Sequence, residues 1–533
     1  MRKLLVANRG EIALRIFRAC RAEGIETVAV VAPDDRGALH ARKAGETVEI
    51  GSYLDAAEHV RAARESGADT VHPGYGFLAE SAGLAEAVLG AGLSWVGPPP
   101  AALRAGADKL TAKSTARAAG VPVLPDGNPA EVGFPLLVKA AAGGGGRGMR
   151  VVRTADELAE AIAAAEREAL AAFGDGTVFF ERYLERPRHV EIQVLADTHG
   201  TVVALGEREC SIQRRHQKVL EESPVLDEEL RARMSEAAVA FTRAIGYESA
   251  GTVEFVLADR EFFFLELNAR IQVEHPVTEL VTGVDLVRAQ LGIARGEPLS
   301  TTHNFVGHAV EVRLYAEDPR TFLPQAGRIE RLRLPGGIRV DAGVEEGDEI
   351  GTSYDPMLAK LIAHAPTRTQ AYDRLADALR DTGVSGLTTN LPFLRWLVAH
   401  PLVRAGQTTT AFLIENPPLS EPPPLAPSPT WRGAWRLNLP APPPRPAPSL
   451  DDATHEHGEP VAHTALTAPM PGTVIKILAQ PGARVAAREP LVVLEAMKME
   501  TPLLSPYDAT VRAVHVTEGD RVAGGAVLVE LDE

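Results

Sequence analysis

A proline-rich stretch near the C-terminal end divides this 533-residue chain into separate folding units. Proline, alanine and serine dominate residues 418–462, which include the runs Pro422-Pro423-Pro424 and Pro442-Pro443-Pro444. Such a composition cannot build a packed core, and consecutive prolines favour an extended polyproline conformation. We therefore interpret residues 418–462 as a linker, called the tether below, between one large unit and one small unit.

The small unit, residues 463–533, contains an internal repeat. Valine, glycine and proline are frequent in it, which is typical of short strands and turns. Two similar β units that each expose an apolar face bury those faces against each other. We therefore predict a small all-β unit, a flattened barrel or sandwich with approximate two-fold symmetry. The matching positions all lie 37 residues apart: Pro469, Gly472, Thr473, Val474, Gly482, Val485, Leu491 and Val492 recur as Pro506, Ala509, Thr510, Val511, Gly519, Val522, Leu528 and Val529.

One lysine lies where the two repeats join. Lys498 follows the predicted strand 491–494 and precedes Thr501-Pro502, so we expect it at the exposed tip of a hairpin. A surface lysine is normally only solvated. The tetrapeptide Ala496-Met497-Lys498-Met499, however, resembles the signature of the biotinyl domain. That resemblance implies biotin in amide linkage to Lys498, attached by a biotin protein ligase. The lipoyl domain is the alternative, but it usually has an acidic residue where this chain has Met497.

The large unit, residues 1–417, alternates short apolar runs with alanine-rich segments, which predicts an α/β fold. The segment 27–31 is a predicted strand, and the segment 155–172 is a predicted helix. No apolar run is long enough to span a bilayer, and the apolar stretch after Lys3 is too short for a signal peptide. The formal net charge of −16 argues against nucleic-acid binding, and the two cysteines provide no disulfide framework. We therefore expect a cytoplasmic protein without a membrane or nucleic-acid partner.

The clearest phosphate-binding segment is rich in glycine. Consecutive glycines let backbone N–H groups converge on an anion and let a loop close over it. The segment is not a P-loop, because the Gly-Lys-Ser/Thr ending is missing. A plain flexible linker is the alternative, and the flanking Lys139 and Arg147 argue against it. The predicted phosphate-binding glycines are Gly143, Gly144, Gly145 and Gly146.

This segment resembles the glycine-rich lid of ATP-grasp enzymes, specifically of biotin carboxylases. The resemblance extends over residues 1–417 and includes the motifs ANRGEIA at 7–13, HPGYGFL at 72–78, GADK at 106–109, RHVEIQ at 188–193 and SIQRRHQK at 211–218. Ala142 departs from it, since the family usually has another glycine there. The resemblance implies these ATP-binding residues: Lys109 and Lys139 at the phosphates, Glu181 and Leu184 at the adenine, and His189, Gln213 and His216 elsewhere on the nucleotide.

Two glutamates predict a divalent cation. The segments 252–257 and 262–267 look like strands of a hairpin centred on Arg260, which sets Glu254 opposite Glu266. Like charges directly opposite each other destabilise a sheet, so these carboxylates require a cation between them. Oxygen ligands that also hold nucleotide phosphates indicate Mg²⁺, with Mn²⁺ as a substitute. Asn268 lies on the same face as Glu266 by the two-residue period. An exposed acidic strand face is the alternative.

The same period continues through Arg270, Gln272 and Glu274, which would share one polar face if the segment is extended. A guanidinium supplies paired donors for a planar bicarbonate, an amide adds a directional donor, and a carboxylate can accept the proton. Lys218 would complete a cationic pocket. In biotin carboxylases the matching residues, including Val273, bind bicarbonate. The resemblance further implies that Glu274 is the general base and that Arg339 binds the biotin enolate.

We predict four parts: an N-terminal α/β domain at 1–108, an ATP-grasp domain at 109–417, the tether at 418–462 and a biotinyl domain at 463–533. Within 109–417, the lid covers about 124–184 and a C-terminal part covers about 300–417.

The predicted function is ATP- and bicarbonate-dependent carboxylation of biotin on the chain's own carrier, through carboxyphosphate. A separate carboxyltransferase β subunit would then carboxylate an acyl-CoA, with the chain forming homo-oligomers within a larger complex. The alternatives are another ATP-grasp ligase, such as a carbamoyl-phosphate synthetase component, and a lipoyl-type carrier or scaffold.

Overall fold

The computed structural model describes residues 1–141, 149–173, 175–214, 217–418, 465–469, 472–496, 499–522 and 525–532. These residues form two compact units. The first comprises Met1–Tyr315, Arg328–Glu349 and Met357–Pro418, and the second comprises Ala316–Gly327, Ile350–Pro356 and the described part of Leu419–Glu533. Apart from Pro418, the predicted tether lies outside the described residues. No helix among the described residues combines the length and the apolar character that a membrane span requires.

The first unit begins with a parallel sheet that is buried on both faces. Leu4, Leu5 and Val6 of its central strand have no exposed surface, as expected for a parallel sheet covered on both sides. The predicted strand at 27–31 is confirmed as β2. The strand order is β3-β2-β1-β4-β5, with β1 Lys3–Val6, β2 Glu26–Val31, β3 Glu46–Glu49, β4 Thr70–His72 and β5 Ser94–Trp95. The connecting helices are α1 Gly10–Ala22, α2 Leu39–Lys43, α3 Ala56–Ser66 and α4 Ala82–Gly90.

A three-stranded sheet and one long helix follow. The strand order is β7-β6-β8, with β6 Leu136–Ala140, β7 Arg150–Val152 and β8 Val178–Arg182. Three helices precede the sheet: α5 Pro100–Ala107, α6 Lys109–Ala118 and α7 Pro129–Val132. The predicted helix at 155–172 is confirmed as α8, Leu158–Phe173. Its apolar side chains at helical spacing, Leu158, Ala161, Ile162 and Ala165, pack against Leu136, Val138 and Val152.

The largest element of the first unit is an antiparallel sheet in the order β13-β12-β9-β10-β11-β14-β19-β17. Its strands are β9 Arg188–Ala196, β10 Val202–Arg214, β11 Gln217–Ser223, β12 Ser249–Ala258, β13 Glu261–Asn268, β14 His308–Tyr315, β17 Arg339–Ala342 and β19 Met357–Ala365. The remaining helices are α9 Glu228–Ala244, α10 His275–Thr282, α11 Leu286–Ala294, α12 Arg368–Asp381, α13 Leu391–Ala399, α14 Pro401–Arg404 and α15 Phe412–Glu415. Four short strands complete the list: β15 Gly327–Arg328, β16 Arg331–Arg333, β18 Glu349–Ile350 and β20 Gly383–Ser385.

The β12–β13 hairpin confirms the predicted register at the glutamates but not at the turn. Glu254 lies directly opposite Glu266, and Thr252 lies opposite Asn268. A bulge between Glu254 and Phe255 then shifts the pairing by one residue, so that Ala258 pairs with Glu261. The turn is therefore formed by the two residues 259 and 260 rather than centred on Arg260 alone. A bulge of this kind adds one residue to one strand and bends it.

Residues 269–274 are not extended, so the condition under which Arg270, Gln272 and Glu274 would share one polar face is not met. β13 ends at Asn268, and Val273 and Glu274 form a turn before α10. Gln272 and Glu274 are as buried as Ala269 and Ile271, so burial does not separate polar from apolar residues in this segment. Pro276 in the first turn of α10 explains the break, since proline favours the start of a helix.

The strands of the predicted biotinyl domain, residues 463–533, called the carrier below, confirm the predicted two-fold repeat. They form two four-stranded sheets in the orders β25-β24-β22-β27 and β21-β28-β26-β23. Each repeat therefore contributes its short strand, β23 or β27, to the other repeat's sheet, which interlocks the halves. Val474 and Val511, which are repeat partners, both lie in the common core. The strands are β21 Ala465–Thr467, β22 Gly472–Ile477, β23 Arg484–Val485, β24 Pro490–Ala496, β25 Met499–Leu504, β26 Ala509–Val514, β27 Arg521–Val522 and β28 Val527–Asp532.

Candidate active site

A buried lysine lies at the centre of the candidate site. Lys218 Nζ on β11 is 2.5 Å from Glu191 Oε2, 2.8 Å from Glu254 Oε1 and 2.7 Å from Glu274 Oε1. All three carboxylates are buried. Burial alone would lower the pKa of Lys218, but Glu191, Glu254 and Glu274 raise it well above its ordinary value. Lys218 is therefore a permanent cation that makes three buried negative charges tolerable.

A second buried cation fixes the first of these carboxylates. Arg208 on β10 is fully buried, and its Nε lies 2.6 Å from Glu191 Oε1. Its other nitrogens donate to Gln193 Oε1, Thr278 Oγ1 and Thr252 Oγ1 at 2.7, 2.8 and 3.0 Å. Arg208 thus ties three strands and α10 together beneath the site. Its hydrogen-bonding capacity is used within the protein, so its part in the site is to hold Glu191.

Glu274 is held as an ionised carboxylate. One oxygen contacts Lys218, and the other accepts a hydrogen bond of 2.9 Å from Arg313 Nη2 on β14. Burial would raise the pKa of Glu274, but Lys218 and then Arg313 lower it well below its ordinary value. The following residue, His275, bonds through Nδ1 to the Gln272 carbonyl at 2.7 Å and so helps to fix the turn that carries Glu274. A carboxylate in this state can accept a proton.

Two donors lie next to Glu274. Arg270 bonds through Nη1 to Gln272 Oε1 at 3.0 Å and through Nη2 to Asn268 Oδ1 at 2.9 Å, and its Nε lies 3.3 Å from Glu80 Oε2. Gln272 is buried, and its amide nitrogen finds no hydrogen-bond partner among the described residues. A buried amide N–H is costly to leave unpaired. It is therefore available to a bound anion. Val273 contributes its carbonyl to Lys360 Nζ at 2.8 Å.

The facing glutamates of the β12–β13 hairpin fit a hard divalent cation. Burial and the neighbouring Glu254 raise the pKa of Glu266, which is the signature of two carboxylates without enough positive charge between them. Asn268 supports the pair by donating to Glu254 Oε1 at 2.7 Å. Carboxylate oxygens are the ligands that Mg²⁺ prefers.

His189 connects the metal pair to the predicted nucleotide contacts. Its Nε2 lies 2.9 Å from Glu254 Oε2, and Gln213 contacts its Nδ1. Burial would lower the pKa of His189, but Glu254 raises it above its ordinary value. His189, Glu191 and Glu254 lie close enough to share a metal ion. Lys218 already contacts both glutamates, however, so its ammonium group supplies the positive charge that a metal ion would otherwise provide.

A separate group of lysines surrounds Glu181. Its carboxylate lies 2.7 Å from Lys139 Nζ and also contacts Lys113, which the sequence did not single out. Lys109 lies nearby: burial lowers its pKa, while Glu266 raises it. Leu184 is half-buried in the segment after β8. Lys113 also contacts Asp126 at 2.9 Å, so the three lysines face the two carboxylates of Glu181 and Asp126. The excess positive charge suits an anionic ligand such as a polyphosphate.

Arg339 lies beside an open pocket of about 440 Å³ on the same unit. Its Nη1 bonds to Glu279 at 2.7 Å and its Nη2 to Asp341 at 2.8 Å, so two carboxylates orient the guanidinium. Arg15 also binds Glu279, and Arg18 binds Asp341. Arg15, Arg18 and Arg339 all line this pocket. The structure thus places Arg339 at a cavity, as a ligand-binding arginine requires.

Several predicted site residues lie outside the described residues. These are the four glycines Gly143–Gly146, together with His216 and Lys498. The strands on either side of Lys498 do pair as the predicted hairpin requires, with Ala496 opposite Met499.

Four protein-family models match the chain. They are the biotin carboxylase N-terminal domain over residues 1–103, the ATP-binding domain of the carbamoyl-phosphate synthase L chain over 108–302, the biotin carboxylase C-terminal domain over 311–415, and the biotin-requiring enzyme family over 464–531. The biotin carboxylase of Halalkalibacterium halodurans is 45% identical over 441 residues, which is 78% of this chain and 98% of that protein. The chain belongs to the biotin carboxylase family.

Relatives of this family also extend beyond the carboxylase part. The biotin-dependent acyl-coenzyme A carboxylase alpha3 subunit of Mycobacterium leprae is 41% identical over an alignment of 589 residues, covering 99% of this chain and 98% of that one. The propionyl-CoA carboxylase alpha chain of Ruegeria pomeroyi is 46% identical over 463 residues, covering 78% of this chain and 68% of that protein.

Solved structures of biotin carboxylases share the fold of the first unit. One is the biotin carboxylase of Campylobacter jejuni in complex with a nucleotide, with a TM-score of 0.76, 38% identity, and coverage of 78% of this chain and 98% of that one. Another is the biotin carboxylase domain of the Hydrogenobacter thermophilus 2-oxoglutarate carboxylase with MgADP and bicarbonate, with a TM-score of 0.76, 43% identity and the same coverage. The predicted ATP-grasp fold with a β-only biotinyl unit is confirmed. The predicted cofactors, biotin, ATP and Mg²⁺, are those of the family.

Four residues of this biotin carboxylase site were missed from the sequence: Lys113, Glu191, Arg208 and Arg313. Glu191, Arg208 and Arg313 share one signal, since each is a charged residue inside a strand of the central sheet. A charge at such a position is buried and must find a partner. Lys113 gives no such signal, because it lies on a helix where a lysine is normally solvated.

Proposed function

We propose that this chain is the α subunit of an acyl-CoA carboxylase. It carboxylates the biotin on Lys498 with ATP and bicarbonate, and a separate carboxyltransferase subunit passes the carboxylate to an acyl-CoA. The observation that carries the acyl-CoA assignment is the match over 99% of the chain to a protein named as an acyl-coenzyme A carboxylase subunit. Other relatives are named as part of a pyruvate carboxylase and of a 2-oxoglutarate carboxylase, and they match 78% of the chain.

The first step joins bicarbonate to the γ-phosphate of ATP. Arg270 and the unpaired Gln272 amide hold bicarbonate beside Glu274. Glu274 takes the bicarbonate proton while the freed oxygen attacks the γ-phosphorus, and the bond to ADP breaks. The products are carboxyphosphate and ADP. Lys109 and Lys139 hold the phosphates, and the rest of the predicted nucleotide contacts position the adenosine. Catalysis by such a site is mainly positioning and charge stabilisation.

A divalent cation belongs to the same step. Glu254 and Glu266, with Asn268 beside them, would hold Mg²⁺, and the ion supplies charge neutralisation at the phosphates when it is bound. The residues around it have their own tasks: Lys218 keeps Glu254 and Glu274 ionised, and His189 orients Glu254.

The second step transfers the carboxyl group to biotin. Carboxyphosphate releases CO₂, and its phosphate takes the proton from biotin N1. The enolate of biotin attacks CO₂, and Arg339 stabilises the negative charge on the ureido oxygen. Glu279 and Asp341 hold the Arg339 guanidinium for this contact.

The final acceptor is tested with the assembled enzyme. A tagged form of this chain would be purified with its partners from the source cells and supplied with ATP and labelled bicarbonate. We expect acid-stable label only when a CoA thioester (acetyl-, propionyl- or 3-methylcrotonyl-CoA) is added. The Lys498→Arg chain, purified in parallel, should give none. Label fixed into pyruvate or 2-oxoglutarate instead would overturn the acyl-CoA assignment.

A further inference from the structure

Two buried carboxyl groups beside Glu274 have no task in the mechanism above. Glu221 on β11 and Glu311 on β14 are direct partners in the antiparallel register, and neither has any exposed surface. Directly opposite residues of antiparallel strands point to the same face, with Cβ atoms about 4.5–5.5 Å apart. The two carboxyl groups are therefore neighbours inside the protein.

One guanidinium links Glu221 to Glu274. Arg313, also on β14, lies with Nη2 2.5 Å from Glu221 Oε1 and 2.9 Å from Glu274 Oε2, so one guanidinium bridges Glu221 and Glu274. Lys360 on β19 lies opposite Arg313, but its Nζ binds the Val273 carbonyl at 2.8 Å and Glu11 at 3.1 Å. No described residue donates a hydrogen bond to either oxygen of Glu311.

The other charged groups near the pair are already paired. Lys218, also on β11, contacts Glu274 and two further carboxylates as described above. Glu222, the next residue of β11, has partners of its own: His308 at 2.8 Å, Arg368 at 2.7 Å and Tyr372 at 3.0 Å. Glu221 and Glu274 therefore share Arg313, while the cations that act on Glu311 are Lys360 and then Arg313, neither of which donates a hydrogen bond to it.

Two fully buried carboxyl groups that lie directly opposite each other resist being ionised at the same time. Burial raises the pKa of Glu311 well above its ordinary value. Burial also raises the pKa of Glu221, to about 7, although Arg313 opposes the shift. Glu311 therefore carries the proton, while Glu221 gains or loses its charge near neutral pH.

We propose that Glu221, with Glu311 as its protonated neighbour, is a positioning residue that shares the charge of Arg313 and thereby keeps Glu274 a strong enough base for bicarbonate. The proposal rests on the function proposed above, because it requires Glu274 to be the base. When Glu221 is ionised, Arg313 is balanced by two carboxylates. When Glu221 is protonated, the full positive charge of Arg313 acts on Glu274 and weakens it as a base. Activity should thus fall as the pH falls through the pKa of Glu221.

The test compares pH profiles of kcat for biotin-dependent ATP cleavage by the full-length chain. The wild type should show an acid limb with a midpoint near pH 7, the pKa of Glu221. Glu221→Gln should lower kcat about three- to tenfold at high pH and lose that limb, with the KM for ATP unchanged. Glu221→Asp keeps the charge and should keep a limb with a moved midpoint. Glu311→Gln replaces a neutral group by a neutral group and should keep the wild-type limb.

Each outcome decides the proposal. A Glu221→Gln chain with the wild-type profile overturns it, and so does a Glu311→Gln chain without the limb. If Glu221→Gln does not fold by circular dichroism, the Glu221→Asp midpoint decides, and an unmoved midpoint counts against Glu221. Failure of the underlying function looks different, because a Glu274→Gln chain would then remain active whatever the Glu221 variants do.

Discussion

At the residue scale, the properties of Glu274 come from two cations on different strands. Lys218 and Arg313 each contact one of its oxygens and hold its pKa well below the ordinary value despite burial. In the proposed mechanism such a weak base acts because Arg270 and Gln272 place the acid beside it. Proximity of this kind can replace several orders of magnitude of basicity.

We predict that Glu274→Gln removes biotin-dependent ATP cleavage. The amide keeps the size of the side chain but cannot accept the proton, and general bases contribute about 10²–10⁴ in rate. ADP release with saturating bicarbonate and free biotin measures the effect. Glu261→Gln is the matched control, because Glu261 is exposed beside the hairpin turn and should keep full activity. Full activity of the Glu274→Gln chain would remove Glu274 as the base.

The site residues differ in how far the sequence could predict them. The pairing of Glu254 with Glu266 could be predicted from the sequence, because the pairing of two strands in a hairpin depends on a local turn. The ion pairs of Arg313 could not be predicted, because its partners Glu221 and Glu274 come from segments distant in sequence. Local periodicity carries no information about which distant strands become neighbours, so a long-range ion pair appears only in the folded chain.

At the element scale, the carrier shows how a repeat becomes a fold. β22 and β26 begin 37 residues apart, as do β23 and β27, and β24 and β28. The sequence predicted this symmetry but not the exchange of β23 and β27 between the two sheets. The exchange depends on how the loops cross over, and the repeat pattern is the same with or without it. The bulge in the β12–β13 hairpin escaped prediction because the residues 262–265 are all apolar, so the sequence there has no alternation that could reveal a shift in register.

The symmetry makes a quantitative prediction about stability. Leu491 on β24 and Leu528 on β28 are repeat partners and are both buried. Replacing either by alanine should destabilise the carrier by about 2–5 kcal/mol, with equal values for the two sites, because each leaves a cavity in the same core. Hydrogen exchange of the β22–β28 amides in the full-length chain measures this. Leu478→Ala, at an exposed position, should change the exchange by less than about 0.5 kcal/mol. Clearly unequal losses at the two buried sites would contradict the shared core.

At the scale of the whole molecule, the proposed function requires one part of the chain to be a substrate of another. Lys498 belongs to the carrier, while Glu274 and Arg339 belong to the first unit. The intervening residues 418–462 are predicted from their composition to be a tether. A tethered substrate reacts at an effective concentration of about a millimolar, which greatly exceeds the concentration of the protein itself.

We therefore predict that carboxylation occurs mainly within one chain. Lys498→Arg keeps the carboxylase site but has no biotin, and Glu274→Gln keeps the biotin but lacks the base. Mixed at about 10 μM each, the two should carboxylate the carrier about 100-fold more slowly than the wild type, since the millimolar local supply is lost. The rate of the mixture should rise with the product of the two concentrations, whereas the wild-type rate per chain should not depend on concentration. Free biotin added to the Lys498→Arg chain is the control, because ATP cleavage there shows that the site is intact. A mixture as fast as the wild type would mean that carriers serve neighbouring chains, and the tether would then have to act across an assembly rather than within one molecule.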